Sequence, residues 1–114
     1  MKVASFAKIT SKNPVALMTA VTKGPVAISL WASSQVFRYY KSGILSSPDC
    51  DAGYLVNHGV GLVGYGSENG TNYWIVRNTW GTSWGESGYV RILRTSANNA
   101  GICGMLMLSS LPTV

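Results

Sequence analysis

The sequence predicts an α+β domain, mainly antiparallel β-sheet with short helices. Three observations carry this. Apolar or β-branched runs of strand length recur at Val26 to Leu30, Asn72 to Arg77 and Gly88 to Arg94. An Asn-Gly pair, Asn69-Gly70, stands between two such runs and supplies the positive φ angles of a hairpin turn. Only two stretches offer helix signals, and both are short.

Taken in order, Asn13-Pro14 places a capping residue before a proline suited to the first helical position, and Gly24 supplies a stop. Val15, Met18 and Val21 follow at three-residue spacing, so a helix is expected from about 14 to 22. Pro25 then opens Val26-Ala27-Ile28-Ser29-Leu30, a buried strand by composition. A helical turn is expected over 34–40, where Val36, Phe37 and Tyr40 share a face. Residues 43–53, with Ser46-Ser47-Pro48-Asp49-Cys50-Asp51, read as loop. His58 to Tyr65 reads as a glycine-rich strand open to close approach by another backbone. Ser67-Glu68-Asn69-Gly70 turns into strand 72–77, and a Gly/Trp loop from Trp80 to Gly85 leads to the last predicted strand.

With 114 residues the chain has room for one core and one domain, taken as residues 1–114. Charged residues make up 11% against 46% hydrophobic, and mean hydropathy is +0.17, which excludes a disordered segment and leaves apolar surface for a partner. The net charge of +5 comes from singly scattered Lys and Arg without a basic block, so no nucleic-acid partner is expected. No window approaches the roughly 18 apolar residues of a membrane span. Met1 to Lys8 lacks an apolar run of signal-peptide length, so a secreted or lysosomal protein would carry its targeting segment upstream. Two Cys and one His at these spacings make no zinc framework, and neither metal nor cofactor is expected.

The candidate chemistry lies in His58, the one imidazole of the chain, and in Asn78, set between aromatic residues in Trp74-Ile75-Val76-Arg77-Asn78-Thr79-Trp80. An imidazole beside a thiol takes its proton and yields the reactive thiolate. An amide carbonyl that accepts the far ring N–H holds the imidazole in one tautomer without adding a charge. Taken singly, such residues are more often structural: a His beside glycines, an Asn that forms a turn, Trp residues that pack a core.

Val56-Asn57-His58-Gly59-Val60, the hairpin beyond it and Asn78-Thr79-Trp80-Gly81 together resemble the His and Asn portions of the papain and cathepsin cysteine proteases. Gly24-Pro25-Val26, the segment from Phe37 to Ile44, and Cys103-Gly104 with Gly101 and Ile102 resemble flanking parts of the same family. The likeness spans nearly the whole chain but covers only the C-terminal, open-barrel half of the catalytic unit. It implies His58 as general base, Asn78 as its orienter, Trp80 as their shield and Trp84 on the leaving-group side. It further implies that Ser29, Val56, Asn57, Gly59 and Leu108 line a pocket favouring bulky apolar side chains, with nothing acidic to pair a buried Arg. Asn57 stands where some members carry Asp.

The Cys-bearing N-terminal half, with its Gln donor for the oxyanion, has no counterpart in the chain. Loss of such a donor alone costs about 100 to 1000-fold in rate. The resemblance therefore implies a chain inactive alone, with that half and a peptide or protein substrate as partners, in a lysosomal, vacuolar or secreted setting. The alternatives are a non-catalytic binding or structural module in a larger protein assembly and an inhibitory fragment that occupies a protease's N-terminal half. Neither Cys50 nor Cys103 opens a predicted helix, and their even count in a chain resembling secreted proteases reads as one disulfide. Such a bond would add on the order of 3 to 4 kcal/mol in the chain-entropy model. Asn69-Gly70-Thr71 matches the glycosylation sequon in an exposed turn, and the same residues are explained equally well as turn formers.

Overall fold

The computed structural model describes residues 5–9, 12–32, 35–46, 50, 58–95, 102–106 and 108–113. They form β1 (Ser5–Lys8), α1 (Pro14–Val21), β2 (Val26–Leu30), α2 (Gln35–Arg38), β3 (Ile44–Leu45), β4 (His58–Glu68), β5 (Thr71–Arg77), β6 (Tyr89–Leu93), a 3-10 turn (Ile102–Gly104) and β7 (Leu108–Thr113). The seven strands make one open sheet in the order β1-β7-β2-β4-β5-β6-β3. Every pairing is antiparallel except that of β3 with β6. The expected α+β class, mainly antiparallel with short helices, is the observed one.

The first helix forms where its cap allows. Asn13 is extended, and its Oδ1 accepts a hydrogen bond from the Ala16 N–H at 3.0 Å, which satisfies one of the unpaired donors of the first turn. Of the three residues at three-residue spacing, only Val21 is buried. Leu17, Ala20 and Val21 are buried, whereas Val15 is 69% exposed. Each three-residue step falls about 60° short of a full turn, so a series at that spacing drifts off the buried stripe.

Side chains alternate along the central strands. Ile28 and Leu30 of β2, Val60 and Leu62 of β4, Trp74 and Val76 of β5, and Val90 and Ile92 of β6 all point into a core closed by Leu17, Phe37, Met105 and Leu106. Cys50 and Cys103 are bonded to each other across 53 residues of sequence, and both are fully buried. This bond ties Cys50 to the 3-10 turn, whose Cys103 carbonyl accepts from the Trp31 N–H at 2.7 Å.

Candidate active site

His58 opens β4, and Asn78 follows the last residue of β5. Because β4 and β5 are paired, the register that sets Gly61 opposite Arg77 brings the two residues to the same end of the hairpin. His58 Nε2 lies 2.7 Å from Asn78 Oδ1. The Thr79 N–H also donates to that oxygen at 2.7 Å, which fixes which end of the amide is the carbonyl. An amide oxygen only accepts, so the ring proton sits on Nε2 and the neutral ring offers Nδ1 as an acceptor. Asn78 itself is held by its backbone, whose N–H donates to the Gly88 carbonyl at 2.9 Å, and it is 5% exposed.

Trp80 lies over the imidazole with ring centroids 5.1 Å apart and planes tilted by 30°. Behind it Trp84 packs edge-on at 5.5 Å, and Phe37 touches both indoles. Trp80 is 40% exposed and Trp84 only 9%. Trp84 is thus chiefly a wall: its Nε1–H donates to the Arg38 carbonyl at 3.1 Å, and Tyr40 packs on its other side. Phe37 and Tyr40, read from sequence only as one face of a helical turn, prove to be the backing of this aromatic stack. No local pattern ties residue 37 to residue 80; the fold does.

Ser29 pairs with Gly59 on one side and with Leu108 on the other, so three of the expected pocket positions are neighbours across β4, β2 and β7. Val56 and Asn57 lie outside the described residues. Ser29, Gly59 and Asn78 border an open hollow of about 1190 Å³. Ala27, Gly61 and Val63 extend its floor along the outward face of β2 and β4, and the turn residues Gly81, Thr82, Ser87 and Gly88 form its far rim. His58, Trp80 and Trp84 are not among its lining residues. Gly61, Val63 and that rim were not singled out from sequence; the period-two alternation of β4, which sets Gly59 and Gly61 opposite Val60 and Leu62, is the signal that could have found the floor.

Two glycine settings differ in what they demand. At Gly85, with φ of +59°, an added Cβ would lie 2.6 Å from the Tyr89 carbonyl, so the turn carrying Trp84 requires glycine there. At Gly59 and Gly61 an added Cβ meets nothing within 4 Å. Nothing described in this chain requires glycine at those two positions.

Behind the site, Glu86 accepts from Arg91 Nε and Nη2, each at 2.9 Å, and from the Gly43 N–H at 3.0 Å. Arg91 also pairs with Glu68 and lies over the Tyr73 ring. The hydrogen bonds from Arg91 hold the Glu86 carboxyl below the usual carboxylate range, while burial pushes the Tyr40 phenol up. This network fastens the segment before β3, and with it the Trp84 turn, to β6.

The geometry defines a class first: a β-sheet domain presenting an imidazole hydrogen-bonded to a buried Asn amide beneath an indole. Comparison with known proteins gives the family. Residues 1–112 match the model of the papain family cysteine proteases, and the chain belongs to that family. It is 44% identical over 107 residues to Cysteine proteinase COT44 of Brassica napus, covering 94% of this chain and 32% of that protein. It is 45% identical over 98 residues to vignain of Vigna mungo, covering 85% of this chain and 26% of that protein. Among solved structures, the bromelain protease of Ananas comosus in complex with the E64 inhibitor superposes with a TM-score of 0.88 at 40% identity, over 98% of this chain and 51% of that one. The proform of the ragweed pollen allergen Amb a 11 gives 0.89 at 36% identity, over the whole of this chain and 34% of that one. The chain spans between about a quarter and a third of the length of the curated relatives it matches.

Proposed function

We propose that this chain is the His- and Asn-bearing half of a papain-type cysteine endopeptidase, and that it acts on peptide bonds only when joined to a Cys-bearing N-terminal half. The observation that carries the reading is the 2.7 Å contact between His58 Nε2 and Asn78 Oδ1 beneath Trp80. With the Nε2 proton engaged there, Nδ1 accepts the proton of the partner's thiol, and the resulting thiolate attacks the substrate carbonyl carbon. The imidazolium then returns the proton to the leaving amine. Trp80 keeps water from competing for the Asn78 carbonyl. Oxyanion stabilisation belongs to the other half.

Two further features support a docked partner. Among the described residues the buried Asn78 Nδ2 has no hydrogen-bond acceptor, a costly state that an acceptor from another segment relieves. The glycines on the floor of the hollow leave room for a second backbone or a substrate side chain. On this reading Ser29, Gly59, Leu108, Val56 and Asn57 form a pocket for a bulky apolar side chain, with Trp84 bordering the leaving-group side. The whole enzyme acts in a vacuolar, lysosomal or secreted compartment.

The test is complementation. The chain is mixed with the Cys-bearing half of a related family member and given a fluorogenic dipeptide with an apolar residue at the pocket position. Turnover is expected from the mixture and not from either half. Turnover by this chain alone that survives replacement of both Cys50 and Cys103 by Ala overturns the assignment of roles.

A further inference from the structure

We propose that Asn69 is a modification site, the acceptor of an N-linked oligosaccharide carried at the pole of the molecule opposite the candidate active site. The inference goes beyond the protease reading and does not depend on it. Asn69-Gly70-Thr71 is an acceptor sequence with Gly, not Pro, in the middle. Turn chemistry accounts for two of its three residues. Glu68 and Thr71 form the last pair of the β4–β5 ladder, and Asn69 and Gly70 between them have φ of 52° and 81°, the two positive angles for which Asn-Gly is favoured. It does not account for Thr71, which sits at a strand start where many β-formers would serve.

The fold leaves this acceptor available. Ser67, Glu68, Asn69 and Gly70 are all exposed, and a Cβ added at Gly70 would meet nothing within 4 Å. Among the described residues the Asn69 side chain has no hydrogen-bond partner, so its amide nitrogen is committed to nothing else. Along β4 Asn69 stands eleven residues from His58 and six from Val63, the hollow's lining residue on that strand nearest the tip, about 20 Å at ~3.3 Å per residue, so the attachment point lies outside the hollow.

The Cys50–Cys103 bond supplies the second, independent observation. Structural disulfides form in oxidising compartments, and in eukaryotes the endoplasmic reticulum, where they form, also holds the donor, a lipid-pyrophosphate-linked oligosaccharide. In the transfer, the bond from Asn69 Nδ2 to the anomeric carbon forms and the bond from that carbon to the pyrophosphate oxygen breaks. The lipid pyrophosphate leaves, and one amide proton passes to a base of the transferring enzyme. The reaction takes place on the extended nascent chain. Closure of the hairpin afterwards costs nothing extra, because Asn69 already adopts the left-handed conformation with its side chain outward.

The full chain, secreted from a eukaryotic host together with a Cys-bearing N-terminal half, is digested with peptide N-glycosidase in heavy-oxygen water. Labelled aspartate at position 69 is expected in most chains, with a matching loss of mass from the intact protein. Heavy-oxygen labelling separates enzymatic release from spontaneous deamidation of the Asn-Gly pair during earlier handling. Thr71→Ala keeps the turn pair and should abolish the label, whereas Thr71→Ser should retain it. Secreted chain with the Cys50–Cys103 bond formed and Asn69 unmodified overturns the proposal, as does a label that persists in Thr71→Ala.

Discussion

The two faces of the β2–β4–β5 sheet obey different rules. Inward, Ile28, Leu30, Val60, Leu62, Trp74 and Val76 are buried against one another and against α1. Outward, the same strands carry Ala27, Ser29, Gly59 and Gly61, small residues that with the exposed Val63 floor an open hollow. The inner set is explained by this chain's own packing. The outer set is not: glycine in a strand interior weakens it by roughly 0.5–1 kcal/mol, and nothing described here requires it. On the proposed reading, these residues left unexplained by their own fold are the face on which the Cys-bearing half docks.

The largest effect should come at the hinge between these faces, where the strands end. In a complemented enzyme, His58→Ala should lower kcat by at least about 10²–10⁴-fold, the usual share of a general base, with little change in the melting temperature of the chain itself. Measured by fluorogenic turnover, near-normal kcat in this variant would show that the imbalance between faces has another cause. On the inner face, Trp74→Ala should cost about 3–5 kcal/mol of stability in denaturant unfolding, since a fully buried indole leaves a void the sheet cannot close. A loss below about 1 kcal/mol would mean that the core is less tightly packed than its burial implies.

Much of this division was legible before any coordinates. The strand Val26–Leu30 and the helix starting at Pro14 fall where local signals put them. Asn13 and Asn69 announce a cap and a turn through chemistry that acts within three residues. His58 and Asn78, each ordinary when taken singly, were legible because the ordered segments around them resemble the His and Asn portions of a known family, and the register of β4 and β5 joins them. What escaped was non-local. β1 and β7 pair across a hundred residues, and β7 contains Ser109, Ser110 and Pro112, no strand-like alternation. Pro112 is tolerated because β2 pairs only with positions 108 to 110, leaving the proline opposite β1 alone. β3 is two residues long and was read as loop. The Glu86–Arg91 pair and the Phe37 backing of Trp80 likewise depend on contacts that no sequence window contains.

On the outer face the expected result is the reverse of the Trp74 one. Gly61→Leu should leave the unfolding free energy of the isolated chain unchanged within about 0.5 kcal/mol, because its side chain enters open space. In complementation the same side chain should weaken assembly by about 1–3 kcal/mol, tenfold or more in the concentration of the other half required, as overpacking of an apposed surface does. Titration of that half, read by turnover, checks it. If Gly61→Leu destabilises the chain alone and leaves assembly untouched, the hollow is not a docking face.

The smallest effect should lie behind the aromatic wall, where both faces are remote. Glu86 is held below the ordinary carboxylate range first by its hydrogen bonds from Arg91, against the opposing effect of burial. A carboxylate depressed in the folded state contributes stability that is fully present above its unfolded value, near about 4.3, and is lost as pH falls through the lower folded value. Since the Glu86 side chain is 29% exposed and Arg91 23%, solvent screening limits the pair to about 0.5–1 kcal/mol. Glu86→Gln should therefore lower the unfolding free energy by about that amount at pH 7 and by progressively less below pH ~4, as first the unfolded and then, at lower pH, the native carboxylate takes up a proton. Assembly with the other half should not change, because Glu86 lies outside the hollow and acts only on the turn that backs Trp84. Parallel acid titrations of the two proteins, followed by unfolding at each pH, decide this. Equal stability of the two at pH 7 would remove the network as a support of the turn, and a gap that widens in acid would reverse the assigned sign.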